Sequence, residues 1–270
     1  MRWLLVAVCV FYSSMTLAAA ERIIAMAPHV VEMLYAIGAG DNIVGTTEYA
    51  DYPEAAKSIP RIGNYNGLQI EKILMLKPDL VVVWKGGNPG KDIEKLESLG
   101  LTIYDSSPKT MSHIFSDLRY LGELTGHTSQ AKQVIKRLEG RYQQLIDTYQ
   151  NKPPVAIFYQ LWHNPLRTVA NGSAIQQMLE GCGAKNIFAE LEGFPLVSME
   201  SVLQRQPEAI IIPNHSANQA PDTEHWLAWP GIPAVKNQQF ISIDGDLLHR
   251  TSPRILEGMS VLCDHIDALR

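Results

Sequence analysis

Aromatic side chains follow several of the predicted strands of this chain. Short β-branched runs bounded by turn residues predict strands, for example at Ile43–Thr46 and at 79–84. In parallel α/β sheets, ligand-binding groups lie outside the carboxyl ends of the strands, so the residues that follow each strand are the candidates for a site. Those residues, together with two from nearby loops, are Tyr49, Trp84, Trp162, Asp246, Arg250, Tyr65 and Phe194.

This set predicts a cleft with aromatic walls and a few polar anchors. Such a cleft suits a large, flat, partly apolar ligand that carries amides or hydroxyls. The alternative is that each ring only packs a loop onto the body of the protein. We favour the cleft because so many of the rings follow strand ends.

Catalytic signatures are weak in this sequence. It contains no GxSxG, HExxH or GxxxxGK[ST] motif, and the glycines of Gly38-Ala39-Gly40 follow a predicted helix rather than the strand that a dinucleotide site requires. The eight histidines are scattered. His29 and His163 could line the cleft and leave a metal or haem iron open as an alternative, although no ligand spacing supports it.

Two glutamates, Glu71 and Glu200, occupy equivalent places in a repeated segment. Residues 71–83 match residues 200–212 without a gap, at an offset of 200 − 71 = 129, and share the glutamate, a leucine, a proline followed by an acid, and a β-branched triplet. The field of a helix N-terminus explains either glutamate alone. As a pair they would also project from two similar lobes, where a partner with two basic sites could recognise them.

The remaining segments predict an α/β fold made of two similar lobes, each with a central, mostly parallel sheet, joined by one long rigid helix. A looser repeat pairs Met33-Leu34, Gly38-Ala39 and Asn42-Ile43 with Met178-Leu179, Gly183-Ala184 and Asn186-Ile187. The predicted strands are 22–26, 43–46, 79–84, 101–104, 155–160, 209–212 and 240–243, and the predicted helices are 30–37, 69–76, 91–99, 110–124, 128–150, 174–179, 199–204 and 255–269.

The helix predicted at 128–150 lies between the two halves. Its apolar residues recur at intervals of three and four, which places them on one helical face. Thr128 or Ser129 is the expected cap, and the two prolines at 153 and 154 end the helix. The face consists of Ala131, Val134, Ile135, Leu138, Tyr142, Leu145, Ile146 and Tyr149.

The first twenty residues predict a secretory signal peptide. Arg2 supplies the positive charge, residues 3–12 are apolar, and Ala18-Ala19-Ala20 is the small-residue pattern that precedes cleavage after Ala20. The resulting division is 1–20 signal peptide, 21–126 N-terminal lobe, 127–151 linking helix and 152–270 C-terminal lobe. We therefore expect an exported protein without a membrane-spanning segment.

Charge and cysteine content narrow the classes further. Removal of the signal changes the balance from 23 − 28 = −5 to 22 − 28 = −6, and this mild acidity argues against a nucleic-acid partner. Cys182 and Cys263 remain, and in an oxidising compartment such a pair favours a disulfide, with two free buried thiols as the alternative.

Several motifs resemble the periplasmic substrate-binding proteins of ABC importers for vitamin B12, siderophores and haem, and most of all the vitamin B12-binding type. Tryptophan before Gly-Gly-Asn and the two cysteines point to that type. The motifs are Tyr-Ala-Asp-Tyr-Pro at 49–53, Leu-Lys-Pro-Asp-Leu at 76–80, Trp-Lys-Gly-Gly-Asn at 84–88, Gly-Cys-Gly at 181–183 with Asn-Ile-Phe at 186–188, and Arg-Thr-Ser-Pro-Arg at 250–254.

The resemblance implies a periplasmic protein, not an enzyme, that captures cobalamin in the cleft with little hinge motion. Four residues match positions around the ligand in the vitamin B12-binding type: Tyr49, Trp84, Asp246 and Arg250. Three positions depart from that type: Tyr65 and Phe194 stand in place of tryptophans, and Leu161, beside Trp162, stands in place of a phenylalanine.

The resemblance also implies the partners. Glu71 and Glu200 match the glutamates that dock onto arginines of the membrane permease, and Cys182 and Cys263 match the disulfide. We expect a monomer that needs no cofactor, because cobalamin is carried and not used, and that works with the permease and its ATPase subunits. The alternatives are a haem or ferric-siderophore binding protein of the same class and a secreted α/β enzyme.

Overall fold

A computed structural model describes residues 19–214 and 222–270, and the predicted signal peptide lies almost entirely outside them. Two four-stranded parallel sheets form the centres of two lobes. A short antiparallel hairpin, β3–β4, is added to the N-terminal lobe. The strands are β1 Ile23–Ala25, β2 Ile43–Thr46, β3 Gly63–Asn64, β4 Gly67–Leu68, β5 Leu80–Val83, β6 Ile103–Asp105, β7 Val155–Tyr159, β8 Ala184–Asn186, β9 Ala209–Ile211 and β10 Phe240–Ile241.

Helices cover the sheets. The central strands β5 and β9 are buried along their whole length, as expected for β-branched runs covered on both faces. The helices are α1 Pro28–Ala36, α2 Ile70–Met75, α3 Gly90–Ser98, α4 Met111–Leu124, α5 Thr128–Tyr149, α6 Ala174–Gly181, α7 Met199–Arg205, α8 Glu224–Leu227, α9 Pro233–Lys236, α10 Gly245–His249 and α11 Ile255–Asp267.

The strand order confirms that the two lobes repeat each other. It is β2-β1-β5-β6 in the first sheet and β8-β7-β9-β10 in the second, so each strand has a counterpart at the same place. The pairings agree as well: Ile23 lies opposite Leu80 and Ile157 lies opposite Ala209. The offset 209 − 80 = 129 is the one found between the two repeated segments of the sequence.

The long central helix α5 is an integral part of the core. Five residues of its predicted apolar face are buried, namely Ala131, Val134, Ile135, Leu138 and Leu145. They belong to one apolar cluster that runs from the strands of the first lobe to those of the second. The helix packs against α4 on one side and α11 on the other. It therefore joins the lobes through buried side chains as well as through the backbone.

The predicted cap of α5 was wrong. Neither Thr128 nor Ser129 caps the helix: the cap residue is His127, whose side chain makes no capping bond. Some short elements were not among the predictions. The passage 48–67 holds the 3₁₀ turn Glu54–Ser58 and most of the β3–β4 hairpin, and α10 begins at Gly245, where the Asp244 carboxylate accepts a bond from the Asp246 amide.

A disulfide joins Cys182, at the C-terminal end of α6, to Cys263 in α11. The two Cα atoms are 4.7 Å apart and the cysteines are separated by 81 residues. The predicted pairing is therefore confirmed, and it fastens the last helix of the chain to the first helix of the C-terminal lobe.

Within residues 19–214 and 222–270, no helix has the length and apolar character needed to cross a membrane.

Candidate functional site

The two lobes make contact through segments that follow the carboxyl ends of their strands. Arg250 follows α10 in the C-terminal lobe, and its guanidinium lies 2.7 Å from Asp51 and 3.1 Å from Glu32 of the N-terminal lobe. Elsewhere along the junction, the Met111 amide donates to the Gln177 side chain over 2.9 Å. These contacts join loops and helices that follow strands in each lobe, so the two lobes meet beside the strand ends after which the predicted ligand residues stand.

Trp84 is the ring of the N-terminal side whose position is fixed by the most contacts within its own loop. It directly follows β5 and is 40% exposed. Its amide donates to the Asn88 side chain (2.7 Å), which donates to the Met26 carbonyl (2.8 Å). A Cβ atom at Gly87 would lie 2.2 Å from the indole ring, so the glycine allows the turn to fold directly against it. The Trp-Lys-Gly-Gly-Asn motif thus holds the indole in place while leaving part of it open to solvent.

His29 packs edge-on against Trp84, with ring centroids 5.7 Å apart. The histidine is buried, and its Nε2 atom lies 3.1 Å from the Ser106 carbonyl. Burial lowers the pKa of His29 from 6.5 to about 4, although the Ser106 carbonyl and the carboxylates of Glu32 and Asp105 act in the opposite direction. His29 is therefore a neutral support beneath the cleft at physiological pH.

Stability should fall on acidification because His29 must remain neutral when the chain is folded. Its folded pKa, about 4, is below its unfolded value of 6.5, so the contribution is complete above pH 6.5 and is lost as the pH falls towards 4. The difference of 2.5 units corresponds to roughly 3 kcal/mol. Urea unfolding of the wild type and of His29→Asn between pH 7.5 and 4 measures this contribution to the free energy of unfolding. If that free energy changes equally with pH in both proteins, the prediction is contradicted.

Two tyrosines complete the N-terminal side. Tyr49, three residues after β2, and Tyr65, in the β3–β4 turn, are each 67% exposed. Tyr49 has φ +67°, a left-handed conformation that is uncommon for a bulky residue. Backbone of this kind clusters at binding sites. Both tyrosines present large apolar surface without a packing role inside the lobe.

The C-terminal side is assembled by Arg167, which the sequence did not indicate. Its guanidinium donates to the Phe194 carbonyl over 2.7 Å, and its backbone forms bridges to Trp162 and Leu196. Trp162 is 57% exposed and Phe194 is 49% exposed, whereas Leu161 is half-buried against the core. Leu196 is itself 57% exposed, so it adds an apolar residue to this side.

His163 lies next to a second histidine at the same side. Its ring centroid is 3.7 Å from that of His225, whose Nε2 atom lies 3.0 Å from the Gln160 side chain. Burial lowers the pKa of His225, and the neighbouring His163 lowers it further. His225 is thus held in the uncharged form around neutral pH.

Asp246 and Arg250 are the polar residues of the C-terminal side. The Arg250 guanidinium lies 2.5 Å from the Asp246 carboxylate, and its side chain is only 11% exposed. Burial raises the pKa of Asp246, and Arg250 opposes that shift. Arg250 also pairs with Asp51 and Glu32. Its mostly buried guanidinium is therefore fixed in place and holds the carboxylate of the more exposed Asp246.

A cavity of about 850 Å³ lies elsewhere, between α1, α5 and α11. Its wall includes Arg137, Arg141 and Arg254 and none of the eight predicted ligand-binding residues. Three helices meet at this cavity, and most of its wall is helix surface. The exposed rings that follow the strand ends remain the candidate site for a large flat ligand.

Glu71 and Glu200 are both the second residue of their helices, α2 and α7, and both are exposed. Backbone and Ser198 hydrogen bonds at the start of α7 lower the pKa of Glu200. The repeat therefore places one exposed carboxylate at the same position of each lobe.

Two lobes of one topology joined by a long helix are the architecture of a two-lobed substrate-binding protein. Residues 23–247 match the model of the periplasmic binding protein family, and the chain belongs to that family.

Named relatives and solved structures agree with this class. The chain is 38% identical to the vitamin B12-binding protein of Vibrio cholerae serotype O1 over 249 residues, which are 92% of this chain and 89% of the relative. It is 35% identical to that of Vibrio vulnificus over 261 residues, or 96% and 94% of the two chains. The crystal structure of the periplasmic vitamin B12 binding protein BtuF of Vibrio cholerae superposes with a TM-score of 0.82 at 37% identity, covering 93% of this chain and 98% of that one.

The fold is shared more widely. The periplasmic heme-binding protein RhuT from Roseiflexus has a TM-score of 0.81 but only 21% identity, over 93% of this chain and all of that chain. Likeness at that level concerns the fold and carries no information about the ligand.

Proposed function

We propose that this chain captures cobalamin in the cleft between its lobes and delivers it to an ABC importer. The observation that supports the proposal is that each lobe has exposed rings in the segments after its strands: Trp84 on its Gly-Gly turn in the N-terminal lobe, and Trp162 and Phe194 in the C-terminal lobe. Exposed rings of this kind bind the faces of a broad, partly apolar ligand. The relatives named as vitamin B12-binding proteins support the choice of cobalamin.

The predicted ligand residues have distinct roles in this proposal. Tyr49, Tyr65, Trp84, Trp162 and Phe194 supply apolar contact, with Leu161 behind them. Asp246 accepts hydrogen bonds from the ligand's amides, and Arg250 holds Asp246 in place. The substitutions Tyr65 and Phe194, relative to the tryptophans of the family, provide smaller rings at two edges of the cleft.

Delivery in this proposal uses Glu71 and Glu200. Two carboxylates at matched positions of two lobes fit a permease with matched basic sites, and such pairs chiefly set register and association rate. The chain works as a periplasmic monomer after cleavage behind Ala20, and transport is driven by the importer's ATPase.

Isothermal titration of the mature protein with cyanocobalamin tests the ligand. We expect saturable binding at micromolar ligand or below. Absence of binding there would contradict the proposal, haem binding that competes with it would favour the haem protein, and turnover of the ligand would favour the secreted enzyme.

Replacement of the supported indole tests the site. In Trp84→Ala the ligand loses one stacking face, and we expect affinity to fall roughly tenfold or more because an aromatic contact is worth about 1 kcal/mol beyond the area it buries. Tyr120→Ala is the matched control: Tyr120 is 53% exposed but lies on α4. Equal affinities of the two variants would remove Trp84 from the site.

A further inference from the structure

We infer that Glu32 is a positioning residue that sets the spacing of the two lobes, and with it the width of the cleft. This inference rests on the proposed function only for the identity of the ligand. Glu32 lies on α1, in the N-terminal lobe, and its side chain is 2% exposed.

All the side-chain bonds of Glu32 cross to the other lobe. Its carboxylate accepts from the Ser252 hydroxyl (2.5 Å), from Nε and Nη2 of Arg254 (3.0 and 2.7 Å) and from Nη1 of Arg250 (3.1 Å). The partners are 218 to 222 residues away in sequence. Because these partners are all in the C-terminal lobe, the Glu32 carboxylate constrains the distance between the lobes more than it constrains the structure of the N-terminal lobe.

The charges make this contact specific. Glu32 lies between two guanidinium groups, and a buried ion pair is strongly destabilised when one partner is removed, because the other charge is left uncompensated. Arg250 would keep Asp51 and Asp246. The carboxylate partner of Arg254 is Glu32, so loss of the Glu32 charge should release Arg254 first.

The network extends from the wall of the cavity beside α5, where Glu32, Tyr52 and Arg254 lie, to the predicted ligand residues. Arg254 stacks over the Tyr52 ring at 3.8 Å, and Arg250 holds Asp51 at 2.7 Å. Both contacts fix the segment that carries Tyr49, and Arg250 also holds Asp246. Through these two arginines, the buried Glu32 carboxylate thus connects the segment of Tyr49 in the N-terminal lobe with Asp246 in the C-terminal lobe.

The internal repeat offers a comparison within the same molecule. Since Met33 corresponds to Met178, an offset of 178 − 33 = 145, Glu32 corresponds to Gln177. Gln177 also crosses the junction, where it accepts one bond from the Met111 amide. The two equivalent positions thus differ: Gln177 makes one neutral contact between the lobes, whereas Glu32 makes several charged contacts. The comparison points to Glu32 as the residue that holds the two lobes at a fixed distance.

The test uses Glu32→Gln, which keeps the shape and removes the charge. Nitroxide labels on Lys91→Cys and Lys236→Cys, at exposed positions of α3 and α9, report the distance between lobes. The native cysteines of the mature chain are joined and buried, so they do not take the label. We expect a narrow distance distribution in the wild type and a longer, broader one in Glu32→Gln.

Cobalamin affinity should fall at the same time. If the variant adopts the binding-competent spacing about a tenth of the time, the apparent dissociation constant rises roughly tenfold. Saturating cobalamin should restore the narrow distribution. Unchanged distances and affinity in Glu32→Gln would overturn the inference.

Asp117→Asn is the matched control. Asp117 is also a buried carboxylate, but it bonds Tyr104 and Ser106 of its own lobe. We expect it to lower stability without changing the distance between lobes, and an equal broadening would show that Glu32 acts through stability alone.

Two further outcomes are distinguishable. If the wild type does not bind cobalamin, the proposed function fails while the distance measurement still tests Glu32. If Glu32→Gln does not fold, Ser252→Ala removes one bond to the same carboxylate; a smaller broadening supports the inference and an unchanged distribution contradicts it.

Discussion

Cells that carry Glu71→Ala together with Glu200→Ala are expected to take up cobalamin no faster than cells without the protein. The purified double variant should still bind cobalamin with wild-type affinity, since the two carboxylates lie on α2 and α7 and not among the cleft residues. Both are exposed, so their removal costs little folding stability. Transport would be lost because two basic sites of the permease would be left without partners in the docked complex.

Glu94→Ala together with Glu257→Ala is the matched control for that result. It also removes one exposed carboxylate from each lobe, from α3 and α11, and so changes the net charge equally. Uptake of labelled cobalamin should remain at the wild-type rate. Equal loss in both double variants would assign the effect to net charge, and wild-type uptake in the Glu71 and Glu200 variant would refute the docking role.

Loss of the disulfide should have the largest effect on stability. The bond closes a loop of about 80 residues, and the chain-entropy model assigns such a loop roughly 4 kcal/mol. For a chain of this size, a loss of that order lowers the melting temperature by roughly 10 °C. Calorimetry of Cys182→Ala with Cys263→Ala, compared with the wild type, measures the change.

Reduction of the wild type distinguishes the contribution of the disulfide bond to stability from the contribution of the packed sulfur atoms. Both cysteines are fully buried, so the alanine variant also leaves small gaps, whereas reduction keeps the sulfurs. Reduced wild type should melt far below the oxidised form and a little above the alanine variant. Identical melting of the oxidised and reduced forms would show that the bond adds nothing to stability.

The sequence predicted the repeated architecture well where its patterns were long. The proline-ended helix and β-branched run at 71–83 and 200–212 became α2 with β5 and α7 with β9. The predicted helix at 128–150 ends within one residue of α5. In each case, periodic burial or a proline leaves a local signal that does not depend on the rest of the fold.

Short elements escaped prediction because tertiary contacts create them. β8 is Ala-Lys-Asn, which has no β-branched residue, and pairing with β7 makes it a strand. α8 and α9 have four residues each, too few for a helical period to be recognised.

Within the candidate site, the rings could be predicted but their supports could not. Arg167 carries no motif, and its role depends on a carbonyl 27 residues away. Glu32 does leave a signal in the sequence: it is the only charged residue in the helix PHVVEMLYA, and a lone acid among buried apolar residues requires a partner. Its partners belong to the motif at 250–254, but nothing in a single sequence pairs that motif with a residue more than 200 positions away.

The apolar cluster that passes through α5 has a consequence for how the molecule comes apart. Two domains joined by a flexible linker can melt one after the other, each with its own transition. Here buried side chains of one helix belong to a cluster that the two lobes share, although each lobe also has an apolar cluster of its own. We therefore expect the lobes to unfold together in one transition, so that a substitution that destabilises one lobe also destabilises the other.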